Sequence, residues 1–316
     1  MPDRTRFRRI VGGSSSPEAL LLYRPGYNVA QVSGGTFGRS DAATCALQAD
    51  ANGLYSAVAA NILRDSHYIG GYRHSLIEGQ GSQNAALGSC LYADDTYADG
   101  AAGFTLAAVA SCINGQTAYR HTALTGAARP RKRTVGIFVN AQADCWSHIF
   151  ENTDAVTSVL SIYDSTVGAP LAEATITWAT HAAAMTSGTT GTCGVTVEAA
   201  TGKYRLWVKG TGVAAGAVAG GAGNTRQVWI YPTGNDDNTK TCTLHQGQFE
   251  PNRSYPSSPI VTVASAVTRA PDLLSFAHPY RPQASTIYAD TIAFGWPSVV
   301  SARLLQLGAV SGASPR

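Results

Sequence analysis

Two glutamates, Glu78 and Glu173, could in principle hydrolyse a glycosidic bond, because that reaction uses paired carboxylates about 5 to 10 Å apart. The sequence gives no such distance, and the histidines show neither an H-x-x-x-H nor an H-E-x-x-H arrangement. No other catalytic grouping stands out. The pattern therefore favours a protein that is not an enzyme, and polysaccharide hydrolysis remains a hypothesis that requires both carboxylates in one groove.

Two carboxylate-rich stretches, DDTYAD (94–99) and GNDDN (234–238), contain the oxygen ligands that calcium prefers. Solvated turns are the alternative interpretation, because Asp and Asn favour turns without any metal. The six cysteines have no spacing suited to zinc, and buried thiols and disulfides both remain open. We therefore predict no metal site and no cofactor, with calcium as the one exception left open.

Tryptophans are the candidates for glycan binding, because a flat apolar ring with a polar edge suits stacking on a sugar. In KYRLWVKG, Trp207 lies on the strand face opposite Tyr204, Leu206 and Val208, so one of these two faces is expected to be exposed. We take Trp207, Trp229 and Trp146 as the candidates. Packing in the core or in a subunit interface is the alternative for each of them.

Arginines are concentrated at the start of the chain, at Arg4, Arg6, Arg8 and Arg9, and again between Arg129 and Arg133. A solvated arm and loop, or docking onto an acidic surface, would explain them. Neither cluster is interleaved with aromatic residues, and the net charge is only +3, so nucleic acid is not expected as a partner. We interpret the first cluster as an anchoring arm.

Composition predicts an all-β protein. Only 14% of the 316 residues are charged, and the 33 glycines and 14 prolines disfavour long helices. Alternation in EATITWAT and RTVGIFVNA indicates half-buried strands, the latter with Val135, Ile137 and Val139 on one face. The segments CGVTVEA and KYRLWVKG, joined by ATGK, predict a hairpin.

About eight such strands predict a β-sandwich of the jelly-roll type over 85–250. We divide the chain into a basic flexible arm (1–16), a small β-rich N-terminal unit (17–84), the jelly roll, and a Pro-rich connector with a C-terminal β extension (251–316). The Ala/Gly tract 212–223 is expected to be a mobile loop. No stretch approaches the roughly 20 apolar residues that span a bilayer, so neither membrane insertion nor a Sec-type signal is expected.

Several short motifs resemble, in the same order, those of a group of tailed-bacteriophage virion proteins that carry a carbohydrate-binding-module-like jelly roll. They are DANG (50–53), the Ala-Asn-x-x-Arg segment at 60–67, LIEGQGSQN (76–84), GKYRLWV (202–208), HQGQFEPNRSYPSSPIVT (245–262) and VTRAPD (267–272). This sequence departs from the group in having Gly-Ser within the LIE motif and Pro-Ile-Val where the group has Tyr-Ile-Pro.

The resemblance marks a set of residues as structural: Glu78, Asn84, Tyr204, Arg205, Gln248, Glu250, Tyr255, Arg269 and Asp272. Within this set, the i, i+3 spacing of Arg269 and Asp272 predicts a local ion pair. Only about 40 residues follow the last motif, too few for another complete sandwich, so we expect the C-terminus to complete a sheet in this domain or in a neighbouring subunit.

The resemblance implies a non-enzymatic fibre, spike or decoration protein on the virion, assembled in the host cytoplasm. Its expected partners are capsid, collar or tail proteins and further copies of itself in a homotrimer, with host surface polysaccharide as a further partner. A carbohydrate-binding adhesin for host attachment is the alternative hypothesis.

Overall fold

The computed structural model describes residues 35–39, 46–69, 72–76, 78, 81–90, 103–124, 130–188, 191–198, 202–234 and 239–276. Several residues named above lie outside these ranges: the arginine arm, Cys45, Arg129, Trp296 and, apart from Gly234, both carboxylate-rich stretches. Within them, no helix has the length and apolar character needed to cross a membrane.

The protein is all-β, as predicted, and the described residues form strands joined by turns and loops. The strands are β1 (Gly35–Gly38), β2 (Leu47–Ala49), β3 (Tyr55–Ala57), β4 (Arg64–Ile69), β5 (Tyr72–Leu76), β6 (Ser82–Asn84), β7 (Phe104–Ala110), β8 (Thr117–Ala123), β9 (Arg131–Ile137), β10 (Ala143–Asn152), β11 (Thr157–Asp164), β12 (Ala169–Thr177), β13 (Ala182–Ser187), β14 (Thr192–Val197), β15 (Lys203–Thr211), β16 (Thr225–Tyr231), β17 (Thr241–Pro251), β18 (Val267–Arg269) and β19 (Leu273–Phe276).

Two antiparallel sheets form a β-sandwich. One has six strands in the order β14-β15-β10-β17-β8-β7, and the other has five in the order β13-β12-β11-β16-β9. Their inner faces share one apolar core, to which Trp146, Phe150 and Phe249 contribute from the first sheet and Leu160 and Ile176 from the second. The predicted hairpin is confirmed as β14 and β15, with Val195 opposite Leu206. The jelly-roll connectivity stays a prediction.

A β-bulge changes the face of the strand that RTVGIFVNA predicts. Gly136 has a positive φ of 114°, and the pairing of β9 with β16 shifts register there. Val135 is buried, but Ile137 and Val139 are 56% and 46% exposed, and Phe138 enters the core instead. The expectation that the three aliphatic residues share one face is therefore wrong.

The central strands of the six-stranded sheet are covered on both faces. Between their first and last residues, β10 and β17 are almost entirely buried. On the outer face, Ile149 packs with Leu47, Tyr55, Cys112 and Ile113 in a second apolar cluster. The N-terminal unit thus lies against this outer face and supplies part of a second core.

The N-terminal unit also pairs with the chain after the sandwich. β6 pairs with β18, and β1 pairs with β19, both antiparallel. A backbone bond from Asp272 N to Glu78 O, 2.9 Å long, adds to these pairings. The C-terminal β extension is therefore tied to the N-terminal unit of the same chain as far as Phe276.

The Ala/Gly tract is held by hydrogen bonds, in contrast to the mobile loop expected from its composition. Asp164 is fully buried, and its Oδ2 accepts bonds from Gly220 N at 2.9 Å and Asn224 Nδ2 at 2.8 Å. Backbone bonds from Val213 N to Gly220 O and from Ala222 N to Val213 O close the tract on itself.

The five described cysteines are free thiols: Cys90, Cys112, Cys145, Cys193 and Cys242. All but Cys193 are buried, and burial raises the pKa of Cys90 and of Cys242 to about 12. These four act as small apolar residues, one of the two roles left open by the sequence.

The ion pair between Asp144 and Arg226 lies in the core, 2.5 Å long and with side chains 0% and 6% exposed. The Asp144→Ala variant should lose about 3 to 5 kcal/mol of unfolding free energy, because Arg226 would be left buried without its carboxylate. Urea denaturation measures this change. The control is Lys240→Ala, which removes an exposed pair with Asp154 and should cost about 1 kcal/mol or less; equal losses in both variants would contradict the prediction.

Candidate functional site

The motifs that are distant in sequence meet on the outer face of the six-stranded sheet, in a buried polar cluster that we call the motif cluster. Gln248 and Glu250 point outward from β17 and bind the following connector. Gln248 Oε1 accepts a bond from Ile260 N at 2.6 Å, and Gln248 Nε2 donates to Ser257 Oγ at 3.0 Å. Glu250 accepts from Ser257 N at 3.0 and 3.2 Å and from the Ser82 hydroxyl. The QFE segment (248–250) of β17 and the PSS segment (256–258) of the connector are therefore hydrogen-bonded to each other.

Asn84 links three chain segments through its side-chain amide. Its Nδ2 donates to Gly247 O at 3.2 Å and Ile260 O at 2.7 Å, and its Oδ1 accepts from Ala86 N and Phe249 N, both at 3.0 Å. The residue is fully buried. An amide can fill these positions because it combines two donors with an acceptor, which a carboxylate does not.

Three arginines surround Glu78 and Asp272 in the same cluster. Arg64 contacts Glu78 at 2.8 Å and Asp272 at 2.5 Å, Arg39 contacts Asp272 at 3.4 Å, and Arg269 contacts Glu78 at 3.3 Å. Burial by itself would raise the pKa of Glu78, but Arg269, Arg64 and hydrogen bonds from Ser258 outweigh it and hold the pKa well below the usual range. Glu78 is therefore an anion.

The ion pairs that Arg269 and Asp272 form with the described residues are with distant partners and not with each other, so the local i, i+3 pair predicted from their spacing is not the contact observed. Arg269 reaches Glu78, and Asp272 reaches Arg39 and Arg64, all of which belong to the N-terminal unit. These two residues thus join the C-terminal segment to the start of the chain.

Arg205, from the GKYRLWV motif, binds the same connector from β15. Its Nη1 donates to Ser257 O at 2.5 Å, and its Nε lies 3.3 Å from Glu198, which also accepts a bond from the Tyr55 hydroxyl. Burial opposes the charge on Arg205, but Glu198 and the neighbouring groups raise its pKa above the ordinary value. Tyr204, the preceding residue, packs against the sandwich core and stacks on His181 with ring centroids 4.2 Å apart.

Sequence reasoning missed several members of the motif cluster, among them Arg39, Arg64, Glu198 and Ser258. Arg64 lies within the quoted 60–67 segment, and Ser258 lies within PSSP, so a search for buried partners of Glu78 could have found both. Arg39 and Glu198 have no local signal, because their partners lie far away in sequence.

Trp146 is completely buried, so its assignment as a glycan-binding candidate is wrong. It lies in the sandwich core, and its Nε1 donates to Trp229 O at 3.3 Å. The physical reason is that β10 is covered on both faces, so neither face of this strand offers an exposed ring.

Trp229 is half-buried on the outer face of the five-stranded sheet, and its ring is already contacted by two side chains. Tyr163, from β11, stacks on it with centroids 3.6 Å apart and ring planes at 17°. Lys132, from β9 on the opposite side, places its Nζ 5.5 Å from the ring centroid. Because stacking on a sugar needs a free ring face, this arrangement disfavours Trp229.

Trp207 is half-buried on the outer face of the six-stranded sheet, opposite the core residues Leu206 and Val208, as predicted. Tyr255 meets it with ring centroids 5.2 Å apart and planes at 65°. The indole occupies the space above Gly194, where an added Cβ would lie 2.7 Å from Cζ2. Among the three candidates, Trp207 has the environment best suited to a ligand.

Glu78 and Glu173 lie on opposite sides of the sandwich. Glu78 bonds to Ser258 over the outer face of the six-stranded sheet, whereas Glu173 bonds to Thr186 at 3.2 Å on the outer face of the five-stranded sheet. The two sheets, packed about 10 Å apart, separate them. They do not form the carboxylate pair that the hydrolase hypothesis requires.

Buried His245 and the glutamate Glu151, whose side chain is 43% exposed, form a further pair near the motif cluster. His245 Nδ1 accepts a bond from Cys112 N at 3.1 Å, so its Nε2 carries the proton and donates to Glu151 at 3.0 Å. Burial lowers the pKa of His245, and the hydrogen bond to His245 holds the pKa of Glu151 at about 2. Cys112 Sγ has a raised pKa through burial, so this group offers no thiolate nucleophile.

The described residues contain no group of three or more His, Cys, Asp or Glu side chains that could hold a metal ion. No protein-family model matches the chain, and a search of the curated proteins finds no significant match. The buried ion pairs and hydrogen bonds of the motif cluster hold the N-terminal unit, the connector and the sandwich together.

The Asn84→Ala variant should lose about 3 kcal/mol or more of unfolding free energy, because it leaves the buried N–H groups of Ala86 and Phe249 without partners. It also removes the bonds of Asn84 to Gly247 O and Ile260 O, which keep a bond from Gln246. Urea denaturation measures the loss, and limited proteolysis should show earlier cleavage before residue 84. The matched control is Gln83→Ala on the same strand, whose exposed bond to Thr268 should contribute about 0.5 kcal/mol or less. A stable, protease-resistant Asn84→Ala protein would contradict the role assigned to this residue.

Stability should fall as the pH drops from 7 to 5, because burial lowers the pKa of His121, His148 and His245. The unfolded chain takes up protons near pH 6.5, whereas folded His121, with a pKa of about 3, does not. This residue alone should cost about 2 kcal/mol over that range. Urea unfolding at pH 7, 6 and 5 tests this effect; the same slope in His121→Gln as in the parent protein would show that His121 does not contribute.

Proposed function

We propose that the protein is a non-enzymatic structural component of a tailed phage or phage-like particle, a fibre, spike or decoration protein that displays a β-sandwich on the virion surface. The observation that carries the proposal is the motif cluster. The segments on which the resemblance to phage virion proteins rests, LIEGQGSQN, GKYRLWV, HQGQFE with PSSP, and VTRAPD, meet there in contacts between their side chains. Segments that function as one unit would be expected to meet in this way.

The architecture supports a rigid mounting of the sandwich. The N-terminal unit and the C-terminal segment are bound to each other by β1–β19 and β6–β18, and both lie on the side of the six-stranded sheet. The motif cluster ties this assembly to β17 through Glu250 and Gln248. A part joined to a particle through its termini would transmit load into the sandwich through these contacts.

Self-association is part of the proposal, and the expected form is a homotrimer. The edge strands β13 and β14 contain no charged residue, and within the described chain each pairs with one neighbour only. Natural proteins protect such edges with charges, prolines or covering segments. A second copy of the chain would cover them, and other virion proteins are the expected partners at the anchoring end.

Purified particles of the phage that encodes the protein should contain a fixed number of copies of it. An antibody to the chain should label these particles at regular positions. Quantitative mass spectrometry and immunogold electron microscopy measure the two properties. Particles that are complete and infectious without the chain, and that carry no label, would overturn the proposal. The position of the label distinguishes head, collar and tail.

A second candidate function, glycan binding during host attachment, is favoured by one observation. Trp207 and Tyr255 form a corner of two half-buried rings on the outer surface of the six-stranded sheet, beside the connector. Aromatic rings in this setting bind the apolar face of a sugar ring. In this role, the protein would act as an adhesin that contacts host surface polysaccharide.

A further inference from the structure

The rings of Trp207, on β15, and Tyr255, in the connector, meet on the outer face of the six-stranded sheet. We call these two residues, together with Lys209 of β15 and Arg253 of the connector, the Trp207 corner. Trp207 and Lys209 alternate with the core residues Leu206 and Val208 along β15, so their side chains point outward, about 7 Å apart along the strand. They form one side of the corner.

The connector forms the other side. Arg253 N donates to Ala143 O at 2.9 Å, and Ala143 is the register partner of Thr211 at the end of β15. Farther along, Ser257 O accepts the bond from Arg205. Residues 253–257 therefore run over the outer face of the sheet from the level of Thr211 to that of Arg205. Tyr255 comes between them, where its ring meets Trp207.

The corner carries positive charge that no carboxylate of the described chain neutralises by an ion pair. Lys209 and Arg253 take part in none of the ion pairs formed by the described residues, whereas nearby Lys203 and Arg205 pair with Glu151 and Glu198. An anionic group of a ligand would therefore find two cations that no carboxylate of the described chain pairs with.

The aromatic ring pair and the two cations without ion pairs in the described chain together specify the chemistry of a ligand. An aromatic ring suits the apolar face of a pyranose, and an adjacent guanidinium and ammonium suit a carboxylate on that pyranose. A neutral sugar would contact the rings but would leave Lys209 and Arg253 without a counterion. On the five-stranded sheet, by contrast, Lys132 already lies over the ring of Trp229.

We propose that the Trp207 corner binds an acidic saccharide, a uronic acid or sialic acid unit of a surface polysaccharide, with its ring on Trp207 and Tyr255 and its carboxylate on Arg253 and Lys209. This inference rests on the second function proposed above, glycan binding, and specifies the residues and the sugar class. It does not depend on where the protein sits in the particle.

The test is calorimetric titration of the full chain with three probes: oligogalacturonate, oligosialate fragments and neutral dextran oligomers. At least one acidic probe should bind, dextran should not, and binding should weaken as NaCl rises from about 0.05 to about 0.5 M. Trp207→Ala and the double variant Lys209→Gln/Arg253→Gln should each weaken binding by about tenfold or more. Gly194→Ala should also weaken it, because the new Cβ would displace the indole.

The matched control is Trp229→Ala with Lys132→Gln on the other sheet, which should leave the affinity unchanged. Near-ultraviolet circular dichroism of each variant separates lost binding from lost folding. Failure of both acidic probes to bind the parent protein would overturn the inference, as would equal binding of dextran or full affinity in the double variant. Binding that depends on Trp229 would overturn this site and leave glycan binding intact. Failure of the virion proposal appears separately, as absence of the protein from particles.

Discussion

The fold depends on the polar outer face of β17. Gln246, Gln248 and Glu250 are completely buried on a strand that also contributes Phe249 to the sandwich core. Buried amides and carboxylates need hydrogen-bond partners, and most of those of Gln248 and Glu250 come from another segment placed against the sheet. The connector supplies backbone N–H groups to Gln248 and Glu250. Asn84 binds the connector at Ile260 and β17 at Phe249, and so joins the two. The position of the N-terminal unit follows from this requirement.

The charged part of the cluster adds specificity to this arrangement. Buried ion pairs contribute little net stability, because the cost of desolvation offsets the attraction, but each charge excludes any packing that would leave it unpaired. Arg64 contacts both Glu78 and Asp272, so a shift of either segment would break contacts to both sides. The cluster thereby selects one register between the beginning and the end of the described chain.

The sequence predicted what depends on local periodicity. Composition and alternation indicated an all-β protein, the β14–β15 hairpin and the position of Trp207 on the strand face opposite Leu206 and Val208, because these follow from neighbours along one strand. The β9 bulge escaped prediction because alternation cannot detect the positive φ of Gly136. The burial of Trp146 escaped it because β10 is covered on both faces, where alternation carries no information. Arg39 and Glu198 needed knowledge of contacts between distant segments, although the resemblance had already marked most of their partners.

The pairing of β1 with β19 has a mechanical consequence. Gly35, the first residue of β1, is the register partner of Phe276, the last residue of β19. Tension applied between the chain before Gly35 and the chain after Phe276 would pull this antiparallel pair apart from one end. Its hydrogen bonds would then break one after another, whereas the long ladder between β10 and β17 would not be loaded until the pair had opened. The two-stranded sheet of β1 and β19 would therefore separate under force before the sandwich unfolds.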